Sequence, residues 1–162
     1  MSVIDRYLEN NALYAQDFRG PLPLPPSSHV AVVACMDARL DVYRILGLKP
    51  GEAHVIRNAG GIIDDAAIRS LAISQRLLGT REIILIHHTD CGMLSFTDDQ
   101  LRQKLREDLG VQADLAFLPF SDLEQSVRDD VAMIRSSALL LKDARVRGYI
   151  YDVKTGRLRE VE

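Results

Sequence analysis

"HVAVVAC", residues 29–35, decides the fold. The run is apolar and β-branched without alternation, the pattern of a strand covered on both faces. Parallel sheets clad in helices bury their strands this way, so the run predicts an α/β fold with a mostly parallel central sheet. The flanking segments agree. "EAHVIRN" at 52–58 and "EIILIHH" at 82–88 read as the second and third strands. Residues 62–79 read as the helix between them, with Asp64 and Asp65 near its start, where the helix dipole favours anions. Further helices are expected over 97–109 and 121–143. The tail, "VRGYIYDVKTGRLREVE", reads as two strands about a turn at Lys154, Thr155 and Gly156, adding an antiparallel edge.

Upstream of the first strand, residues 3–18 show an amphipathic stripe of Ile4, Tyr7, Leu8, Tyr14, Ala15 and Phe18, with Ser2 as N-cap. The following "GPLPLPPSS", 20–28, is a semi-rigid extended spacer. A helix on such an arm either folds back on its own body or reaches a neighbouring subunit. The 62–79 helix points the same way. Ile63, Ala67, Leu71 and Leu78 make one apolar row and Ala66, Ile73 and Leu77 another, more than one packing face can use. No repeat or second domain is visible. The expectation is one domain over 1–162, residues 1–28 forming the helix and Pro-rich arm, in a homodimer or higher even oligomer.

The 162 residues are 47% hydrophobic and 27% charged, ordinary for a globular chain, and the formal charge of −3 gives no nucleic-acid footprint. No apolar run approaches the roughly 20 residues that cross a bilayer. The N-terminus, "MSVIDRYLEN", lacks the basic head and apolar centre of a secretion signal, so the chain reads as cytoplasmic. Its two cysteines, Cys35 and Cys91, then lean towards metal or catalysis rather than a disulfide.

Functional groups of parallel α/β sheets gather at the carboxyl ends of strands. Cys35 ends the first strand, His88 ends the third, and Cys91 lies just beyond. If those strands are neighbours, the three meet. Two thiolates and an imidazole are an accepted zinc set, with a fourth position left for water in catalytic sites. His87 and His88 point to opposite faces of a strand, and the His-x-x-Cys gap favours His88 as the ligand. A structural zinc would need a fourth protein ligand, for which Asp37, His87 and His54 are the candidates. Asp37 and Arg39, in "CMDARLD", are close enough to pair. Beside a zinc, the carboxylate can orient water while the arginine holds it off the metal. Phosphatase-like Cys-x5-Arg and redox Cys-x-x-Cys spacings are absent. "RNAGG", 57–61, lacks dinucleotide-binding spacing; its glycines suit close backbone approach, and its amides can face a small anion.

Taken together, "ACMDARLD", "HVIRNAGG" and "HHTDCGM" resemble the β-class carbonic anhydrases, most of all the small actinobacterial-type members. The resemblance runs closely through residues 29–95. It implies a zinc enzyme, with one Zn2+ per subunit, that interconverts CO2 and bicarbonate through a zinc-bound hydroxide. It implies Cys35, His88 and Cys91 as ligands and Asp37 with Arg39 as the catalytic dyad, Asp37 replacing water on the metal in a closed state. It also implies a sheet ordered 2-1-3-4 with an edge strand, a dimer in which the N-terminal arm lies across the partner, and amides of Gly60 and Gly92 near substrate oxygens. The pocket glutamine of plant-like members has no evident counterpart. Two other readings remain: a carbonyl sulfide or carbon disulfide hydrolase using the same zinc, and a non-catalytic zinc-stapled interaction protein.

Overall fold

The computed structural model describes residues 2–162. Met1, the first residue of the expected arm, lies outside them. Five strands, β1 (Val30–Cys35), β2 (Ala53–Asn58), β3 (Glu82–His88), β4 (Arg145–Tyr151) and β5 (Leu158–Val161), form one sheet in the order β2-β1-β3-β4-β5. The first three interfaces are parallel and only β4–β5 is antiparallel, as the continuous apolar runs and the terminal hairpin predict.

Two layers cover the sheet. On one face Ala31, Val33, Ile83 and Leu85 pack with Ala67 and Leu71 of α3 (Asp65–Arg76) and with Val127, Val131 and Ile134 of α5 (Leu123–Ser136). On the other, Val32, Ala34 and Ile86 pack with Leu40 and with Val42 of α2 (Val42–Leu46), and Phe96 and Phe120 lean against them. The helix α4 (Asp98–Leu109) carries a capping box from Thr97 and Gln100 and buries no residue. Helix ends differ from expectation for local reasons. Ile62 is extended, and α3 begins only after Asp64, which caps it by accepting from the Ala67 amide at 2.7 Å. The expected 121–143 helix stops at Ser136, and Lys142 turns back to reach the carbonyls of Arg135, Ser136 and Ser137. The single-turn α2, capped by Asp41, carries too little periodicity to be read in advance.

The N-terminal helix α1 (Val3–Gln16) has the expected Ser2 cap and capping box with Asp5. It buries none of its residues, so its stripe does not fold back on its own body. The arm runs beside the entry to β2, where the Ser27 and Ser28 amides donate to the Gly51 and Glu52 carbonyls. No helix among the described residues is long and apolar enough to cross a membrane.

One glycine is set by the closeness of the strands. Gly61 has φ +71°, and a Cβ there would lie 2.6 Å from the Cys35 nitrogen and 3.0 Å from the Ile86 oxygen. Backbone atoms of two core strands cannot yield as side chains do. Gly61→Ala is expected to destabilise the chain by about 3 kcal/mol, combining left-handed backbone and overpacking penalties. Urea denaturation measures this; a loss under about 1 kcal/mol would mean the strand ends give way.

Candidate metal centre

The register of β1 against β3 sets Ala34 beside Ile86, so the next residues of both strands emerge at one sheet edge. There one ligand atom each from Cys35, His88 and Cys91 lies within 4.8 Å of the others, all three side chains buried. The turn after β3 returns Cys91 to the cluster through Asp90, whose φ of +55° lies in the left-handed region that aspartate tolerates. Both cysteines are free thiols, set in the same apolar cluster as Leu40, Ile86 and Met93.

The donor set fits a cation on one specific observation. His88 donates from Nδ1 to the Thr89 carbonyl at 2.9 Å, which leaves Nε2 as the lone-pair nitrogen. That atom is fully buried and has no hydrogen-bond partner. An orphaned buried acceptor is costly unless something positive fills its place. The thiols divide unequally. Cys35 is pushed down to about 4, first by the hydrogen bond from Cys91, against burial, and further by the Asp37 and Gly60 amides beside its sulfur. Cys91 is pushed up, first by the charged neighbour sulfur and then by burial. Without a cation only one sulfur carries charge comfortably; a divalent ion between them would remove the conflict. Burial opposes charge on His88, but the Cys35 thiolate, the Thr89 carbonyl and Asp37 outweigh it and raise the imidazole above its ordinary value.

Asp37 stands beside the cluster, its Oδ2 3.7 Å from His88 Nε2. Arg39 grips it from the other side: Oδ1 accepts from the Arg39 amide at 2.9 Å and from Nε at 3.0 Å, and Oδ2 from Nη2 at 2.8 Å. This two-point grip is the main force holding the Asp37 carboxyl well below the usual carboxylate range. Three residues that the sequence left without a role join the site. Arg57 donates twice to the Cys35 carbonyl and once to that of Asp37, pinning the loop after β1. Asp90 takes a second share of Arg39. Phe120 lies 3.2 Å from where a Cβ on Gly60 would stand, and its ring stacks on His87 with centroids 5.4 Å apart.

The other candidates fall elsewhere. His87 points into the α5 layer, Nδ1 2.9 Å from Ser126 Oγ and Nε2 3.1 Å from Asp130. His54 faces Ser74 at 2.8 Å and takes no part in the Cys–His–Cys group. The Gly60 amide serves the Cys35 sulfur, while Gly92 is exposed with open space on its Cβ side. A groove of about 780 Å³ between α5 and the β4–β5 edge is lined by Arg128, Val131, Arg135 and Arg147. It holds none of the converging donors, so the chemistry is placed at the sheet edge instead.

Comparison with known proteins follows the same residues. The family model described as "Carbonic anhydrase" matches residues 30–158. "Beta-carbonic anhydrase 1" of Mycobacterium tuberculosis is 56% identical, the alignment covering 99% of each chain. The chain belongs to the β-carbonic anhydrase family. The crystal structure of a carbonic anhydrase from Streptococcus mutans superposes with a TM-score of 0.96 at 49% identity, covering 100% of this chain and 99% of that one. A "Carbon disulfide hydrolase" of an Acidianus species is more distant, 34% identical over 98% of this chain and 90% of its own length.

The pH dependence of the metal-free β-carbonic anhydrase chain follows from the Asp37 grip. Because its folded pKa is lowered, Asp37 contributes stability that is fully present above the unfolded carboxylate value of about 4 and is lost as pH falls through the folded value. Asp37→Asn is therefore expected to be less stable than the parent near neutrality, the two curves converging well below pH 4. Urea midpoints across a pH series test this; a constant gap at all pH values would remove Arg39 as the cause.

Proposed function

We propose that the chain is a zinc-dependent carbonic anhydrase catalysing reversible hydration of CO2 to bicarbonate and a proton. The observation that carries this reading is a three-donor cluster with an unpartnered His88 Nε2, beside a carboxylate that is restrained rather than free. Cys35, His88 and Cys91 would hold one zinc per chain. Bound there, zinc supplies a Lewis acid that lets water ionise near neutral pH. Asp37 would accept a hydrogen bond from the attacking water and turn its lone pair towards CO2. Arg39 keeps Asp37 turned away from the fourth position, which a permanently closed structural site would have no use for. Met93, Phe120 and Ile62 stand within 3.2 Å of where a Cβ on Gly60 would lie and give the edge an apolar wall suited to a small linear substrate. Gly92, exposed and with open space at its Cβ position, is the freer of the two glycines to meet substrate oxygens.

The same reading takes the chain as one domain over 1–162, with 1–28 as the arm, acting in a cytoplasm that keeps both thiols reduced. It is a homodimer or higher even oligomer, with the arm on the partner. Supporting this, Ile4 and Leu8 of α1 are 68% and 64% exposed, and Leu77 after α3 is 75% exposed. Apolar stripes of that size are ordinarily covered. Removing residues 2–19 is expected to lower the oligomeric state in sedimentation; an unchanged species would place the interface elsewhere.

Metal analysis with stopped-flow CO2 hydration tests the activity, with carbonyl sulfide and carbon disulfide assayed alongside. About one zinc per chain is expected. The expected rate rises between about pH 6.5 and about pH 9 as water ionises. Asp37→Ala and Arg39→Ala should each lower turnover on the order of 10²-fold, the scale of a lost positioned proton acceptor, with zinc retained. Bound zinc without hydration at any pH would favour the stapled, non-catalytic protein.

A further inference from the structure

The Arg39 guanidinium is bonded along both edges. Its Nε and one Nη2 hydrogen face Asp37, at 3.0 and 2.8 Å. On the far side Nη1 donates to Asp90 Oδ2 at 2.7 Å, and Nη2 donates again to the Asp90 carbonyl at 2.9 Å. We propose that Asp90 is a positioning residue for the carbonic anhydrase reaction, fixing Arg39 in the one orientation that restrains Asp37. The proposal rests on the function proposed above.

Arg39 needs such an anchor. Its side chain is 47% exposed, and an arginine free to sample water has many rotamers to lose. Asp37 lies only two residues away, so their pair bends the long side chain back over a short loop. Exposed ion pairs of that kind are weak when they stand alone. A planar fork with partners on two edges is different, because rotation about its stem breaks bonds to both carboxylates at once. Asp90 is well placed for the second edge because it sits between His88 and Cys91, in a turn with φ +55° that holds its carbonyl and carboxylate towards Arg39. The guanidinium thus bridges the loop after β1 to the loop after β3.

Two variants separate the carboxylate from the backbone. Asp90→Gly keeps the left-handed conformation and deletes both charge and acceptor. Asp90→Asn keeps the conformation and one acceptor oxygen. The first readout is NMR of the Arg39 guanidinium in the metal-free chain. Restricted rotation is expected in the parent, averaged signals in Asp90→Gly and intermediate behaviour in Asp90→Asn. The second is kinetics of the zinc-loaded chain. Asp90→Gly is expected to lower kcat by about tenfold to 10²-fold, as misplacement of a catalytic group does, with KM and zinc content kept and partial recovery in Asp90→Asn. The third is coupling: in an Arg39→Ala background, Asp90→Gly should cause no further loss, because its effect passes through Arg39. Free rotation in the parent, unchanged restriction in Asp90→Gly, or an equal extra loss in the Arg39→Ala background would overturn the proposal. Should Asp90→Gly not fold, Asp90→Asn carries the same comparisons. A parent chain without CO2 hydration would defeat the proposed function, while the guanidinium signals would still decide whether Asp90 holds Arg39.

Discussion

Parallel pairing of β1 with β3 is the constraint that everything else obeys. Parallel neighbours send their carboxyl ends to the same edge, and the pairing of Ala34 with Ile86 fixes where along that edge each strand stops. Cys35 and His88, more than fifty positions apart, become neighbours through main-chain hydrogen bonds alone. A one-residue slip would turn His88 into the α5 layer and bring His87 to the edge in its place. Gly61 closes the third side, its missing Cβ allowing the strand-to-helix turn to lie against the Cys35 nitrogen and Ile86 oxygen.

The packing that creates the cluster also creates its electrostatic problem. Two thiols and an imidazole are taken from water into an apolar cluster with Leu40 and Met93. The fold stabilises one negative sulfur well, with amides from Asp37 and Gly60, and makes the second costly. Such an arrangement is poor as a resting thiol pair and good as two-thirds of a metal site, since a divalent charge pulls both sulfurs towards ionisation. The carbonyls of Cys35 and Asp37 meanwhile face Arg57, so the loop is held from outside the cluster and needs no contribution from the ligands themselves.

Legibility in the sequence followed the range of the forces involved. Buried strands announced themselves because two-sided burial leaves an unbroken apolar run, and β3 ends where its run meets His87 and His88. The His-x-x-Cys pair was legible because a single turn joins its members. The sheet order came with the family resemblance, while Asp37 and Arg39 were legible as a pair because they lie two positions apart. What escaped was tertiary. Arg57 acts on carbonyls 20 and 22 residues away, and Asp90 reaches an arginine 51 residues distant. Nothing in the local composition of either segment encodes such a contact. The α1 stripe was legible as a stripe but not as to its destination, because an isolated chain leaves it open.

The adjacent histidines show how far elementary geometry reaches. His87 and His88 have the same chemistry, the same strand and the same complete burial. Alternation sends them to opposite faces, and their fates diverge from that point. Ser126 Oγ lies 2.9 Å from His87 Nδ1. Asp130 meets the other ring nitrogen, leaving neither free for a ligand's role. His88 has a carbonyl on one nitrogen and nothing on the other. Only a ring held so, with one nitrogen committed as donor and the second bare among thiols, is pre-set to bind a cation without first breaking a bond.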